Sequence, residues 1–277
     1  MKIEKLKTND FVRECTAVFC DIDGTLLNSE HKITPLTLEA IKLLQKKEIK
    51  FTIVSARSPT CIFPILNEYN FNCPLICFSG ALIMDENKKI ISNRGFLILE
   101  AEKIIQYIKS QEFDMVYSIY SHEQWVTENI NDKRIKTEES IVKVNAEAGD
   151  LNKIKSSIIN KIFCICNPNI TDNVESSLKN EFPDISIARS SDEMIEVMAN
   201  GISKAAAISE FCKIFGTDIL KSAAFGDSFN DEGMLKTVGT GFIMANAPAA
   251  LKERIKNVTD DNDHDGIYRA LKSIHVI

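Results

Sequence analysis

The chain has 277 residues, 44% of them hydrophobic and 26% charged, with 33 Lys+Arg against 39 Asp+Glu for a net charge of −6. That length holds one large or two modest domains, and the composition excludes a disordered chain. The acidic balance argues against a nucleic-acid partner; no basic amphipathic stretch, spanning run or signal-peptide core offers a membrane, so the expected compartment is the cytoplasm.

The apolar run 17–20 has no polar alternation, which predicts a parallel strand buried on both faces. It stops at Asp21-Ile22-Asp23-Gly24-Thr25. Two carboxylates one residue apart thus stand at the end of a strand, where open α/β sheets bind ligands, and such a pair invites a cation. An aspartate is ionised at neutral pH, with an ordinary pKa of about 3.9, and can attack phosphorus without a base to activate it. A bound Mg2+ would neutralise the repulsion from a phosphate ester, and it takes one or two carboxylates with water and phosphate oxygens as its other ligands. In such a reaction Asp23 could serve as acid and base, protonating the leaving alkoxide and later deprotonating the water that attacks the aspartyl-phosphate. Taken alone, the same residues also suit an ordinary turn or helix cap.

Residues 26–33 form a short polar connection. Thr34-Pro35 then starts a helix with a capping hydroxyl and Pro in the first turn, and Leu38, Ile41 and Leu44 give it one apolar stripe. A β-branched strand at 51–54 ends at the hydroxyl of Ser55. The resulting βαβ unit brings Asp21 and Ser55 to one sheet edge. A helix over 59–69 and a third strand at 74–78, ending at Ser79-Gly80, follow.

From about Met84 the pattern changes. The sequence predicts a helix over 97–111, strands near 115–120, 124–126 and 162–166, a helix over 171–182, and strands at 185–188 and 194–198. This is a domain-sized mixture carrying none of the acidic motifs. The chain then enters a helix with Ser203 as N-cap, Ile208, Phe211, Cys212 and Phe215 on the buried face, and Gly216 as its end. Lys204 in the first turn opposes the helix dipole, which implies an anionic partner there. The segment 222–226 repeats the small apolar strand and leads into Gly226-Asp227-Ser228-Phe229-Asn230-Asp231.

The acidic loop 260–266 lacks the spacing and closing Glu of a calcium-binding EF-hand, so it reads as a structural loop near the core site. Eight dispersed cysteines show no CxxC pair and read as small buried hydrophobes, with Cys164 and Cys166 on one face of a strand. His31, His122, His264 and His275 form no metal-ligand spacing.

Four motifs in order, Asp21-Ile22-Asp23-Gly24-Thr25-Leu26, Ser55 with Arg57, Lys204, and Gly226-Asp227 through Asn230-Asp231, resemble those of the haloacid dehalogenase-like superfamily. Within it they are most similar to the Cof-like, type IIB phosphatases, and the resemblance spans about 16–271. It implies an α/β fold with a Rossmann-like parallel-sheet core at 1–84 and 198–277, helices on both faces, and an inserted α+β cap at 85–197 that sets substrate specificity.

The resemblance makes Asp21 the nucleophile and Asp23 the general acid/base. It gives phosphate binding to Ser55, Lys204, Asn230 and Arg57, Mg2+ binding to Asp21, Asp23 and Asp227, and supporting roles to Asp231 and Thr25. The implied reaction is hydrolysis, through an aspartyl-phosphate, of a small phosphorylated metabolite such as a sugar phosphate or phosphorylated cofactor. Departures from the family pattern are Ser55-Ala56-Arg57 in place of Thr-Gly-Arg, Ser79 in place of Asn, and Ala205 in place of Gly; all keep the charged groups. A phosphotransferase such as a sugar-phosphate mutase would use the same nucleophile. A binding protein that retained the fold without catalysis is the competitor from another class, and the intact set Asp21, Asp23, Lys204 and Asp227 argues against it. No motif fixes the oligomeric state.

Overall fold

The strand expected at 17–20 is Ala17–Cys20, with every residue buried. The structure, a computed structural model, describes residues 15–277, so the polar start of the chain lies outside the described residues. Ala17–Cys20 pairs in parallel with Ser222–Gly226 on one side and Lys50–Val54 on the other. The sheet continues in parallel through Thr240–Ile243 and Asn257–Val258 at one edge and to Leu75–Cys77 at the other.

One feature departs from a purely parallel sheet. Leu82–Met84 returns antiparallel to Leu75–Cys77, joined by the tight turn at Phe78–Gly80, and Ile90–Asn93 follows as an edge strand. A connection this short cannot make a parallel crossover, which needs a dozen residues or more. The sheet is therefore mixed.

Alternation along the strands sorts side chains to two faces. Ala17, Phe19, Val54, Ile76, Ala224 and Ile243 pack with Ile208, Phe211, Met234 and Leu235 of the helices Lys204–Phe215 and Glu232–Thr237. Phe19 meets Phe211 edge-on at 5.4 Å between ring centres. The helices Pro35–Lys46 and Gly266–Ser273 pack against each other. Thr34 caps the first of these helices, accepting a hydrogen bond from the Thr37 amide at 3.4 Å.

The chain divides into two compact units. One comprises 15–56, Leu66–Ile91 and Ser203–Ile277; the other comprises Arg57–Ile65 and Ser92–Ile202. The second unit has its own six-stranded sheet, in the order Ser186–Arg189, Met194–Met198, Lys161–Cys166, Met115–Ser121, Gln124–Thr127, Glu147–Ala148. Its pairs are antiparallel except the last. Helices Ile98–Ser110 and Thr171–Glu181 cover one face through Ile104, Ile105, Ile108, Val174 and Leu178, packed on Ile119, Ile162, Cys164 and Val197. Cys164 and Cys166 share that face, and all eight cysteines are free and buried.

Two left-handed glycines separate steric from conformational need. Gly80 has φ +117°, and a Cβ there would stand 2.6 Å from the Ser203 carbonyl oxygen. Gly216, at φ +66°, ends the helix Lys204–Phe215 and has no neighbour within 4 Å of such a Cβ. Gly80→Ala is expected to destabilise by about 3 kcal/mol, strain plus the collision, whereas Gly216→Ala costs about 1 kcal/mol. Urea unfolding of both variants checks this; equal losses would show that Gly80 is not held by its approach to Ser203.

Candidate active site

The C-terminal ends of the parallel strands carry the acidic residues. Asp21 follows Cys20 and is anchored by its own amide, which donates to the Phe225 carbonyl at 3.0 Å. Its carbonyl accepts from the Leu26 amide at 3.2 Å, closing the turn that contains Asp23 and Gly24. Ser55 follows Lys50–Val54 on the neighbouring strand and is buried, with its amide bonded to the Ile76 carbonyl at 2.8 Å. The parallel register Cys20↔Ile53 thus sets Asp21 and Ser55 at adjacent strand ends.

Lys204 enters from the first turn of its helix, where Ser203 accepts a hydrogen bond from the Ala206 amide at 3.1 Å. The ammonium is 2% exposed as a residue and donates to Asp21 Oδ1 and Asp231 Oδ1, each at 2.5 Å. The anionic partner implied by a lysine at a helix start is therefore this carboxylate pair. Burial alone would push Lys204 down, but Asp21 and Asp231 outweigh it and hold the ammonium above its ordinary range. Burial pushes Asp21 up, with Lys204 opposing and the charges of Asp231 and Asp23 adding to the rise.

Asp231 is wholly buried and its carboxylate is fully engaged. Oδ1 faces Lys204, while Oδ2 accepts from the amides of Asp227 and Ser228 at 3.1 and 2.9 Å and from the Ser228 hydroxyl at 3.1 Å. It therefore organises the loop that carries Asp227. A Cβ on Gly226 would meet the Asp231 side chain at 2.5 Å, so this loop closes only over glycine.

Asp227 Oδ1 accepts from the Thr25 hydroxyl at 2.9 Å. Burial pushes its pKa up to about 6 against that hydrogen bond. Asp23 is exposed, and its charge acts on both Asp21 and Asp227.

Single oxygens of Asp21, Asp227 and Asp231 lie within 4.8 Å of one another. Hard carboxylate oxygens suit a Mg2+-sized cation, which needs few protein ligands. Because Asp231 is committed to its own hydrogen bonds, Asp21 and Asp227 are the carboxylates that could hold the ion.

Other expected residues lie differently. Asn230 is exposed, its Oδ1 accepting from the Ser228 hydroxyl at 2.6 Å. Arg57 belongs to the second unit, where its charge acts on Glu138. The acidic loop is tied to the segment after Asp23: Asn262 donates to the Leu27 carbonyl at 2.9 Å, and Asp263 accepts from the Ser29 amide and hydroxyl at 2.9 and 2.5 Å. Sequence reasoning assigned no role to Asn246, whose Nδ2 donates to the Gly24 carbonyl at 2.8 Å. Its signal in the sequence is that Gly241-Phe242-Ile243-Met244-Ala245-Asn246-Ala247 resembles the strand and turn that follow the fourth motif of the haloacid dehalogenase-like superfamily.

Residues 18–271 match the haloacid dehalogenase-like hydrolase family, and the chain belongs to that family. A putative phosphatase of Haemophilus influenzae is 33% identical over 253 residues, covering 91% of this chain and 95% of its own length. The 5-amino-6-(5-phospho-D-ribitylamino)uracil phosphatase of Bacillus subtilis is 27% identical over 255 residues, covering 91% and 92%. Among solved structures, a subclass IIB sugar phosphatase superposes with a TM-score of 0.80 at 24% identity, covering 95% of this chain and all of that one. The protein is thus a hydrolase with the Rossmann-like core of this family, and its relatives place it with the phosphoric monoester hydrolases. No helix among the described residues is long and apolar enough to cross a membrane.

Lys204→Met would leave two buried carboxylates without their cation. The expected cost is about 3 kcal/mol at neutral pH, as for the breaking of a buried ion pair. Without the ammonium Asp21 rises further, so the variant takes up protons on folding, and its stability is recovered as pH falls and lost as pH rises. Denaturant unfolding at several pH values checks this; a penalty that grows towards acid would contradict the bridge.

Proposed function

We propose that this protein is a Mg2+-dependent phosphatase that hydrolyses a small cytoplasmic phosphomonoester through a phosphorylated Asp21. The observation that carries the reading is the Lys204 ammonium fixed on Asp21 Oδ1, beside Asp227 and with Asp23 in the adjoining turn.

Lys204 binds Oδ1 of Asp21, which assigns the attack to the other oxygen, Oδ2. Oδ2 attacks phosphorus, and the bond from phosphorus to the leaving oxygen breaks as Asp23 delivers its proton to that oxygen. Water then attacks the same phosphorus, giving its proton to Asp23, and the Asp21 carboxylate departs with its electron pair. Ser55 and Lys204 hold phosphate oxygens, with Arg57 and Asn230 as further phosphate contacts and Thr25 and Asp231 as supports. Asp21, Asp227 and the Asp23 backbone would hold Mg2+, which when bound supplies charge neutralisation for the ester.

Residues 85–197 act as the cap that selects the leaving group. A subclass IIB relative in structure is a sugar phosphatase, and a curated relative acts on a phosphorylated ribitylamino-uracil. Sugar phosphates and phosphorylated cofactor precursors are therefore the first substrates to try.

EDTA is expected to abolish release of phosphate from an aryl phosphate and from this panel, and Mg2+ to restore it. Ca2+ restores it poorly, because its longer bonds and higher coordination number disturb the in-line geometry. Undiminished turnover in rigorously metal-free protein would reject the metal-assisted reading.

A further inference from the structure

Asn246 lies in the turn after Thr240–Ile243, the strand paired in parallel with Ser222–Gly226. The turn is fixed on both sides of it: the Met244 amide donates to the Gly226 carbonyl at 3.0 Å, and the Ala247 amide donates to the Met244 carbonyl at 3.1 Å. From this fixed backbone the side-chain nitrogen reaches two acceptors. Nδ2 donates to the Gly24 carbonyl at 2.8 Å and, more weakly, to Asp227 Oδ2 at 3.4 Å.

Only a group with at least two hydrogens on one nitrogen can serve both acceptors, and among short side chains that means a primary amide. The other oxygen of Asp227 is already held by Thr25 at 2.9 Å. Both Asp227 oxygens are therefore referred to the turn that follows Asp23, one by Thr25 directly and one through Asn246. The fit leaves no slack: a Cβ on Gly24, at φ +75°, would stand 2.3 Å from Asp227 Oδ2. Asn246 itself is exposed, so it fills no part of the hydrophobic core.

We infer that Asn246 is a positioning residue for the divalent-cation site, locking the Asp227 carboxylate in register with the backbone of the Asp23–Gly24–Thr25 turn so that the two sides of the site are set before the ion arrives. This rests on the metal reading proposed above. Without the amide, Asp227 keeps the Thr25 contact alone, and its Oδ2 can swing away from the Gly24 carbonyl. The cation then meets a carboxylate it must first orient, and affinity falls while the fold stands. Ligand-orienting partners of this kind affect metal affinity by about 10- to 100-fold; the long 3.4 Å contact puts Asn246 at the low end, about 10-fold.

The test is titration of metal-free wild type and Asn246→Ala with Mg2+ by calorimetry, with Mn2+ and electron paramagnetic resonance as an independent count of bound ion. Thermal unfolding of both proteins in EDTA accompanies it. The inference expects about 10-fold weaker binding of both ions by the variant and an unchanged unfolding midpoint. Equal affinities would overturn it, whatever happens to the midpoint. A lowered midpoint with unchanged affinity would make Asn246 a structural brace only. If wild type itself binds neither ion, the metal reading fails and the inference fails with it, an outcome distinct from the loss of Asn246's role alone.

Discussion

A single ammonium, Nζ of Lys204, at 2.5 Å from both Asp21 and Asp231, is the constraint on which the rest of the site depends. Two carboxylates buried this deeply repel each other and lose their hydration, and in a low-dielectric interior neither penalty is small. The cation between them makes the arrangement possible. It also joins three parts of the chain far apart in sequence: the end of the first strand, the start of a helix nearly two hundred residues later, and the loop after Ser222–Gly226.

From that bridge the division of labour among the aspartates follows. Asp231 is inside, with every oxygen spoken for, and serves the loop. Asp21 keeps Oδ1 on Lys204, and Oδ2 is the oxygen assigned to the attack. Asp227 is half-buried and braced against Thr25, and Asp23 is exposed at the turn. Four residues of one chemical type thus receive four environments, and the proposed roles of holding an ion, attacking phosphorus and exchanging protons with water rest on environment rather than identity.

Much of this was legible in the sequence because the signals were local. The unbroken apolar run 17–20 had to be a buried strand, and Ser203 and Gly216 bound their helix as cap residues do. Lys204 at a helix start pointed to an anion, though not to which one. Long-range hydrogen bonding was not legible. Asp231 reads as a support, but nothing in the sequence shows that one of its oxygens meets the ammonium of Lys204, 27 residues earlier. Asn246 and Gly24 are brought together only by the parallel pairing of distant strands. The helix Lys133–Val142 was missed because its buried residues are only Ile135 and Glu139, too few for a helical stripe. Leu82–Met84 was missed because three residues carry no period.

The most direct measurement of the central claim, that Asp21 is a nucleophile held ready by Lys204, uses Asp23→Asn with an activated aryl phosphate whose leaving group needs little protonation. The variant keeps the attacking oxygen but lacks the base for the attacking water, a group worth about 10²–10⁴-fold in rate. Rapid quenching followed by mass spectrometry of peptides is predicted to find phosphate covalently on Asp21, with a matching pre-steady-state burst of the aryl alcohol. Absence of both adduct and burst, in a variant that folds and beside a wild type that turns over, would contradict the account.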